Sequence, residues 1–317
     1  MLINANKVRL WKKDIETSVD LFNAWFLQFA PDAYRNARAS TTKCVADCLE
    51  MTSDLTTITV DVLEQCPGIL PTLRMTTCPP IARDRLVGLA SANKNLVKKM
   101  EDGQLPPMMK PAALRRNLTR IADILSKMLD VDIFPWLSGG SLATEEQRYR
   151  ASTIVADRLC GAVSDPIVRN AQEARQLSLI GDYLEAKGYV RKTHTSGAPI
   201  TQMEPGTFAF RMVVRVDRKG QITQIPVDVV IQPKKPRSNG VPIFIEAKSA
   251  GDFTNVNKRR KEEATKMSQL RVTFGQNVEY ILFLCGYFGT PYLGYEAAEG
   301  IDWVWEHRIK DMDKLGL

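Results

Sequence analysis

The chain of 317 residues is long enough for one large domain or two smaller ones, and its composition is that of a soluble globular protein. Its residues are 44% hydrophobic and 25% charged, and no apolar run reaches about 18 residues, so we expect no membrane span. Residues 1–16 lack the apolar core and small-residue cleavage site of a secretory signal, which predicts a cytoplasmic protein. The net charge of +7 is compatible with a polyanionic partner without requiring one.

The cysteines and histidines argue against several kinds of metal site. Cys44, Cys48, Cys66 and Cys78 lack the tight two-residue spacing that zinc sites usually have. Reduced thiols are therefore the preferred interpretation for a cytoplasmic protein. With only two histidines in the chain, a nuclease or hydrolase built on a histidine-ligated metal is not expected.

The first half of the chain has the apolar periodicity of helices and hardly any strand-type alternation. The helical patterns lie at 12–29, 41–65, 79–103, 111–130 and 144–161. We therefore predict a helical N-terminal domain over residues 1–165, with a boundary uncertain by about ten residues.

The pattern changes after residue 165. A helix is predicted to open at Asp165-Pro166 and to end at a glycine cap, Gly188. The predicted elements that follow are strands at 207–216, 221–233 and 241–249, a polar helix at 254–274 and an apolar strand at 278–288. This order predicts an α/β catalytic domain over 166–317, a mixed β-sheet flanked by helices.

The strand at 241–249 carries charge where a buried strand is normally apolar. Successive side chains of a strand point to opposite faces, so Glu246 and Lys248 share one face with Phe244. An exposed face or a simple salt bridge is the ordinary explanation for such a pair. The cost of burying charge makes a functional explanation worth testing against the neighbouring strand.

The preceding strand supplies a second carboxylate. Residues 234–240 are rich in turn formers, and a hairpin centred on Arg237 sets opposite each other the residues whose numbers sum to 474. Asp228 then faces Glu246, with Cβ atoms about 4.5–5.5 Å apart. Two carboxylates that close need a cation, and a few oxygen ligands with room for water are typical of Mg²⁺. With Lys248 beside them to hold or activate water, the group predicts phosphodiester cleavage.

These residues carry a family resemblance. Asp228 followed by Glu246-Ala247-Lys248, within the predicted order of helix, strands, helix and strand, resembles the nuclease superfamily named for its Pro-Asp…Asp/Glu-X-Lys motif. The sequence departs from the motif in that its proline, Pro226, is one residue removed from Asp228. Three longer stretches, 73–90, 244–264 and 282–309, are similar to the XamI-type restriction endonucleases.

The resemblance implies a type II restriction enzyme that cuts both strands of a short palindromic site in double-stranded DNA with Mg²⁺. Carried over by position, Asp228, Glu246 and the carbonyl group of Ala247 are expected metal ligands, and Lys248 is the expected catalytic lysine. No organic cofactor is implied.

A further carboxylate and a dimer belong to the same expectation. Related nucleases often place an acid on the helix before the sheet, and Glu173, or else Glu185, could fill that role here. Cleavage of both strands of a palindrome favours a homodimer with twofold symmetry.

Basic and amide side chains form the candidate DNA contacts, because phosphates and base edges both require such groups. In the second half they are Lys234, Lys235, Arg237, Asn255, Asn257, Lys258, Arg259, Arg260 and Lys261, and in the first half Arg83, Arg85 and Lys94. A solvated helix with pairs such as Glu262–Lys266 remains an alternative for the polar helix. Arg83-Asp84-Arg85 could equally be an internal salt-bridge group.

Two other functions remain open at this stage. The same active site could belong to a repair or structure-selective nuclease without a sequence target, or the chain could be a DNA-binding protein on a nuclease-like scaffold. The presence of Asp228, Glu246 and Lys248 together argues against the second of these.

Overall fold

The computed structural model describes most of the chain. The described residues are 2–140, 142–193, 199–218, 220–236, 239–254 and 256–317, and the side chains of 218 and 256–259 are outside the description. Among the described helices, none is long and apolar enough to cross a bilayer.

The chain forms two compact units. The sheet unit consists of Met1–Phe29 and Arg169–Leu317, and the helical unit consists of Ala30–Val168. The described helices are α1 (Val8–Met51), α2 (Val60–Gln65), α3 (Leu70–Met75), α4 (Arg83–Leu89), α5 (Lys94–Glu101), α6 (Pro111–Lys127), α7 (Trp136–Gly139), α8 (Glu145–Ala186), α9 (Val256–Phe274) and α10 (Thr290–Ala298). The described strands are β1 (Val190–Arg191), β2 (Thr207–Arg218), β3 (Gln221–Gln232), β4 (Ile243–Ala250), β5 (Tyr280–Gly286) and β6 (Asp302–Trp305).

The helical unit packs around its own apolar core, and α6 illustrates why its residues are helical. Pro111 occupies the first turn, where its missing N–H costs nothing. Leu114, Leu118, Ile121 and Leu125 then recur at helical spacing and are buried in the core. The N-terminal helical region predicted from the periodicity is confirmed.

One helix boundary was predicted wrongly. No new helix opens at Asp165-Pro166, because α8 continues through Pro166. An interior proline removes a backbone hydrogen bond and costs about 3 kcal/mol in an isolated helix. In α8, buried side chains on both sides of it, Leu159 in the helical unit and Leu177 in the sheet unit, stabilise the helix by packing.

The sheet unit contains the predicted mixed sheet. Its six strands lie in the order β1 to β6, with β2, β3 and β4 antiparallel and β4, β5 and β6 parallel. Phe244 shares a core with Leu270 of α9, whereas Ile245 on the opposite face shares another with Ile180 of α8. The sheet is therefore covered by helices on both faces, which explains why β5 is uniformly apolar.

The first 29 residues lie with the sheet rather than with the helical domain of residues 1–165 expected from the sequence. The buried carboxylate of Asp302, at the start of β6, accepts backbone N–H bonds from Ile3, from Asn4 at 2.9 Å and from Ala5 at 3.0 Å. The ring of Trp11 packs against that of Trp303 with centroids 5.5 Å apart. These contacts join residues about three hundred positions apart, which periodicity within the N-terminal segment cannot reveal.

Replacing Asp302 with Asn should detach this N-terminal segment. The amide keeps the shape of the side chain but loses the charge and one acceptor oxygen, so the free energy of unfolding should fall by about 2–4 kcal/mol. Urea denaturation measures this loss, and limited proteolysis should release the first residues. Asp20→Asn, at an exposed position of α1, is the control, and equal stability of the two variants would contradict the anchoring role.

Candidate active site

The site begins where β3 and β4 separate. The two strands pair from Ile231 with Ile243 to Val229 with Ile245, and these pairs follow the register predicted from the hairpin. At the next position Asp228 Oδ2 instead accepts the backbone N–H of Ala247 at 2.8 Å. The side chain of Asp228 thus takes the place of the next ladder bond and is directed from β3 towards the charged part of β4.

The charged face of β4 is covered by α9. Glu246 is only 4% exposed although it is a carboxylate, and Lys248 Nζ donates a hydrogen bond to Glu246 Oε1 at 3.1 Å. Lys248 Nζ also lies 3.4 Å from Oε1 of Glu263, a fully buried residue of α9. The strand therefore presents its amine between two carboxylates.

A second amine reaches the same carboxylate. Lys266, one turn beyond Glu263 on α9, places Nζ 2.5 Å from Glu246 Oε1 and 3.0 Å from the carbonyl oxygen of Pro226 in β3. From the sequence, Lys266 was expected only to pair with Glu262 on a solvated helix. The sequence does carry a signal for the neighbouring residue Glu263. Glu263 is spaced i, i+4 and i+7 with the buried Met267 and Leu270, so the three residues share one face of α9.

The environment changes the protonation of Asp228. Burial, followed by the neighbouring charge of Glu246, raises the pKa of Asp228 to about 6, although the Ala247 N–H, Lys248 and Lys266 act to lower it. Two acids held this close favour the loss of one charge unless a cation joins them. A bound cation would therefore stabilise the ionised form of both carboxylates.

Lys248 is held in its protonated form. Burial alone would lower the pKa of Lys248, but the carboxylates of Glu246 and Glu263 outweigh burial and raise it. For Glu263, burial raises the pKa and the charge of Lys248 opposes that change. At neutral pH Lys248 is an ammonium group that donates hydrogen bonds and stabilises negative charge.

The donor set fits a hard divalent cation with few protein ligands. Oε2 of Glu246 is buried and has no hydrogen-bond partner among the described residues, so a buried anionic oxygen is left unsatisfied. Asp228 contributes a second carboxylate, and the adjacent backbone a carbonyl oxygen at Ala247. Within the described ranges, no three or more His, Cys, Asp or Glu side chains form a metal-binding group. Carboxylate and carbonyl oxygens are the kind of ligand that hard divalent cations prefer.

Glu173 lies beside the site but binds a different partner. Its Oε1 is 3.0 Å from the guanidinium group of Arg211 in β2, and among the described residues no hydrogen bond or ion pair joins Glu173 to Asp228, Glu246 or Lys248. Arg211 has a φ of +51°, a left-handed conformation rare for non-glycine residues. In the described register of β2 and β3, Arg211 and Asp228 are opposite each other but do not form a strand pair. Glu185, the alternative acid, is exposed near the end of α8.

The basic candidates of the sheet unit have different environments. Lys235 and Lys261 are exposed. Lys234 instead donates to the carbonyl oxygen of Lys187 and lies over the ring of Tyr189, and the guanidinium of Arg260 lies 3.6 Å from the ring centroid of Tyr295. Arg237 and Asn255 lie outside the described residues, as do the side chains of Asn257, Lys258 and Arg259.

The three basic candidates of the helical unit are exposed. Arg83, in the first turn of α4, has its guanidinium 3.7 Å from the carboxylate of Asp84, which agrees with the salt-bridge alternative for that segment. Arg85 follows it on α4, and Lys94 begins α5.

The C-terminal aromatic residues divide between core and surface. Trp303 and Trp305 of β6 are fully buried and pack in the core. Tyr295 of α10 is 53% exposed and carries the stacked guanidinium of Arg260.

Comparison with known proteins identifies the class. Residues 53–305 match the family model described as XamI restriction endonuclease. Type II restriction enzyme SalI of Streptomyces albus G is 54% identical over 315 residues, which span 99% of this chain and the full length of that enzyme. Type II restriction enzyme XamI of Xanthomonas campestris pv. amaranthicola is 24% identical over 200 residues, 62% of this chain and 64% of that enzyme. The chain is a restriction endonuclease, a hydrolase. It belongs to the XamI restriction endonuclease family, which confirms the resemblance noted in the sequence.

Among solved structures, protein VC1899 from Vibrio cholerae aligns with 90% of this chain and 55% of its own length at 12% identity. The TM-score is 0.29, which is too low to support any argument about fold or function.

A buried acid behind the site should make stability depend on pH. Burial, followed by the charge of Glu263, raises the pKa of Glu296 on α10 from 4.5 to about 8. Between these values the folded state holds a proton that the unfolded chain has lost, so the free energy of unfolding should fall as pH rises from about 4.5 to about 8. Glu296→Gln should remove a decline on the order of a few kcal/mol, as measured by urea denaturation across that range.

Glu299→Gln provides the matched control, because Glu299 is exposed at the end of the same helix. An unchanged pH profile in Glu296→Gln, or an equal change in the control, would contradict the assignment.

Proposed function

We propose that this enzyme is a type II restriction endonuclease that uses Mg²⁺ to hydrolyse both strands of a short palindromic site in double-stranded DNA. The observation that carries the proposal is the meeting of Asp228 and Glu246 where β3 and β4 separate, with Lys248 bonded to Glu246. Membership of the family, and 54% identity to an enzyme named as type II, support it further.

The metal would be held by the carboxylates of Asp228 and Glu246 and by the carbonyl group of Ala247. Bound Mg²⁺ supplies Lewis-acid stabilisation of charge on a phosphate and a lowered pKa for a bound water. The orphaned Oε2 of Glu246 and the raised pKa of Asp228 support this role, because a cation would satisfy both groups. The proposed mechanism uses no organic cofactor.

Lys248 would act through its positive charge. Its raised pKa disfavours proton abstraction, so the ammonium group orients the attacking water by hydrogen bonding and stabilises the negative charge that develops on the phosphate. Glu173 would act indirectly, by holding Arg211 beside the strand position that carries Asp228. This role replaces the direct one that the sequence resemblance suggested for Glu173.

DNA would be held by exposed basic side chains. The exposed candidates are Lys235 and Lys261 in the sheet unit and Arg83, Arg85 and Lys94 in the helical unit, and Arg83 would exchange its ion pair with Asp84 for a phosphate contact. In a palindromic target both strands have the same sequence and are related by a twofold axis. Two copies of the enzyme related by the same axis would therefore each cut one strand. The helical unit would thus contribute to DNA binding, and a homodimer would be the active form, acting on DNA in the cytoplasm.

Asp228→Ala and Lys248→Ala should each lower the rate of cleavage by about 10²–10³-fold or more, because each removes a charged group that acts on the reacting phosphate. The measurement is single-turnover cleavage of a plasmid in Mg²⁺, alongside DNA binding in Ca²⁺ and thermal unfolding. Lys310→Ala, at an exposed position near the C-terminus, is the control.

Full activity in either variant would contradict the assigned roles. Discrete fragments from the wild-type enzyme on a long duplex would support a sequence target, whereas a smear would favour a nuclease without one.

Lys261→Ala should weaken DNA binding and lower its dependence on salt. If Lys261 neutralises one phosphate, the slope of log K against log[salt] should fall by about one, because one fewer counterion is released. Fluorescence anisotropy over a salt series in Ca²⁺ measures this slope. Lys310→Ala again serves as control, and an unaltered slope for Lys261→Ala would exclude the phosphate contact.

A further inference from the structure

Lys266 occupies an unusual position for a lysine on a polar helix. Its ammonium group is held by two oxygen atoms from different strands, Glu246 Oε1 at 2.5 Å and the carbonyl oxygen of Pro226 at 3.0 Å. The side chain is 18% exposed, whereas Lys261 on the same helix is exposed to solvent. The geometry is that of a cation set into a partly closed oxygen site.

Lys266 neutralises negative charge that Lys248 alone does not neutralise. Lys248 is shared between Glu246 and Glu263, so its single charge serves two buried carboxylates. Asp228 lies next to Glu246 across the separating strands and adds a third acid. Three acids and one amine would leave excess negative charge in a partly closed space, and Lys266 is the second amine that offsets it.

We propose that Lys266 is an internal cation that neutralises Glu246 in the metal-free enzyme and competes with the divalent ion for that carboxylate. The inference rests on the proposed function, because it takes Asp228 and Glu246 as the metal ligands. An ammonium group 2.5 Å from Glu246 Oε1 repels a divalent ion at either oxygen of that carboxylate. Lys266 thereby lowers the affinity of the enzyme for metal and keeps the acid pair compatible with folding when no metal is bound.

The direct test is Mn²⁺ binding without DNA, followed by the electron paramagnetic resonance signal of the free ion. Lys266→Met keeps the length of the side chain and removes the charge, so we expect about tenfold tighter Mn²⁺ binding, the scale of one close ion pair. Lys310→Met makes the same exchange at an exposed position near the C-terminus and should bind Mn²⁺ like the wild type. Equal or weaker binding by folded Lys266→Met would overturn the inference.

A second measurement covers the case in which Lys266→Met folds poorly. In EDTA, Lys266→Gln should melt at a lower temperature than the wild type, because Glu246 has lost a counter-ion. Saturating Mn²⁺ should then raise its melting temperature by more than it raises that of the wild type. An Mn²⁺-induced shift no larger than that of the wild type would also overturn the inference.

Asp228→Asn separates failure of the inference from failure of the proposed metal site. If Asp228→Asn abolishes Mn²⁺ binding while Lys266→Met binds like the wild type, the metal site stands and the role of Lys266 is wrong. If Mn²⁺ binding survives Asp228→Asn, the metal lies elsewhere and the proposed function loses its central observation.

Discussion

The geometry of the proposed active site depends on one hydrogen bond, from the backbone N–H of Ala247 to the carboxylate of Asp228. Two antiparallel strands that pair along their full length bond their backbone N–H groups to each other's carbonyl oxygens. Here β3 and β4 stop pairing after Val229 and Ile245, and the side chain of Asp228 satisfies a backbone donor that the ladder no longer uses. The separation orients Asp228 towards the charged stretch of β4 without leaving a buried N–H unpaired.

Burying carboxylates where the strands separate is energetically costly, and charged residues of α9 offset part of that cost. A carboxylate as buried as Glu246 is costly unless cations accompany it, and the two strands provide one amine, Lys248. Helix α9 adds Glu263 and Lys266, so that acids and amines alternate across the site. One negative charge remains when all of these groups and Asp228 are ionised. This remaining charge supports the proposed binding of a divalent cation at the site.

The limits of sequence reasoning follow from where each side chain meets its partner. The carboxylate pair was predictable, because the turn-rich connection fixes the hairpin register and a two-residue period fixes the face. The position of Lys266 in the site was not predictable. Lys266 is one of many charged residues on a polar helix, and the local sequence does not show that it is partly buried at the site while Glu262 is exposed. The position of Glu263 was partly predictable, because its spacing to apolar residues of α9 places it on the buried face of the helix. Which face of α9 covers the sheet is decided by packing, and packing also selects which of its charges enter the site.

The sequence by itself determined the class of fold, the register of the central hairpin and the family of the enzyme. Periodicity and turn chemistry act over a few residues, and the quoted motifs are local as well. Tertiary structure alone decided that α8 continues through Pro166, that the first residues of the chain join β6 at Asp302, and that Lys266 reaches Glu246. Each of these joins or stabilises segments through buried contacts between distant positions. Such contacts leave no periodic trace in either segment, so they become visible only when the chain is folded.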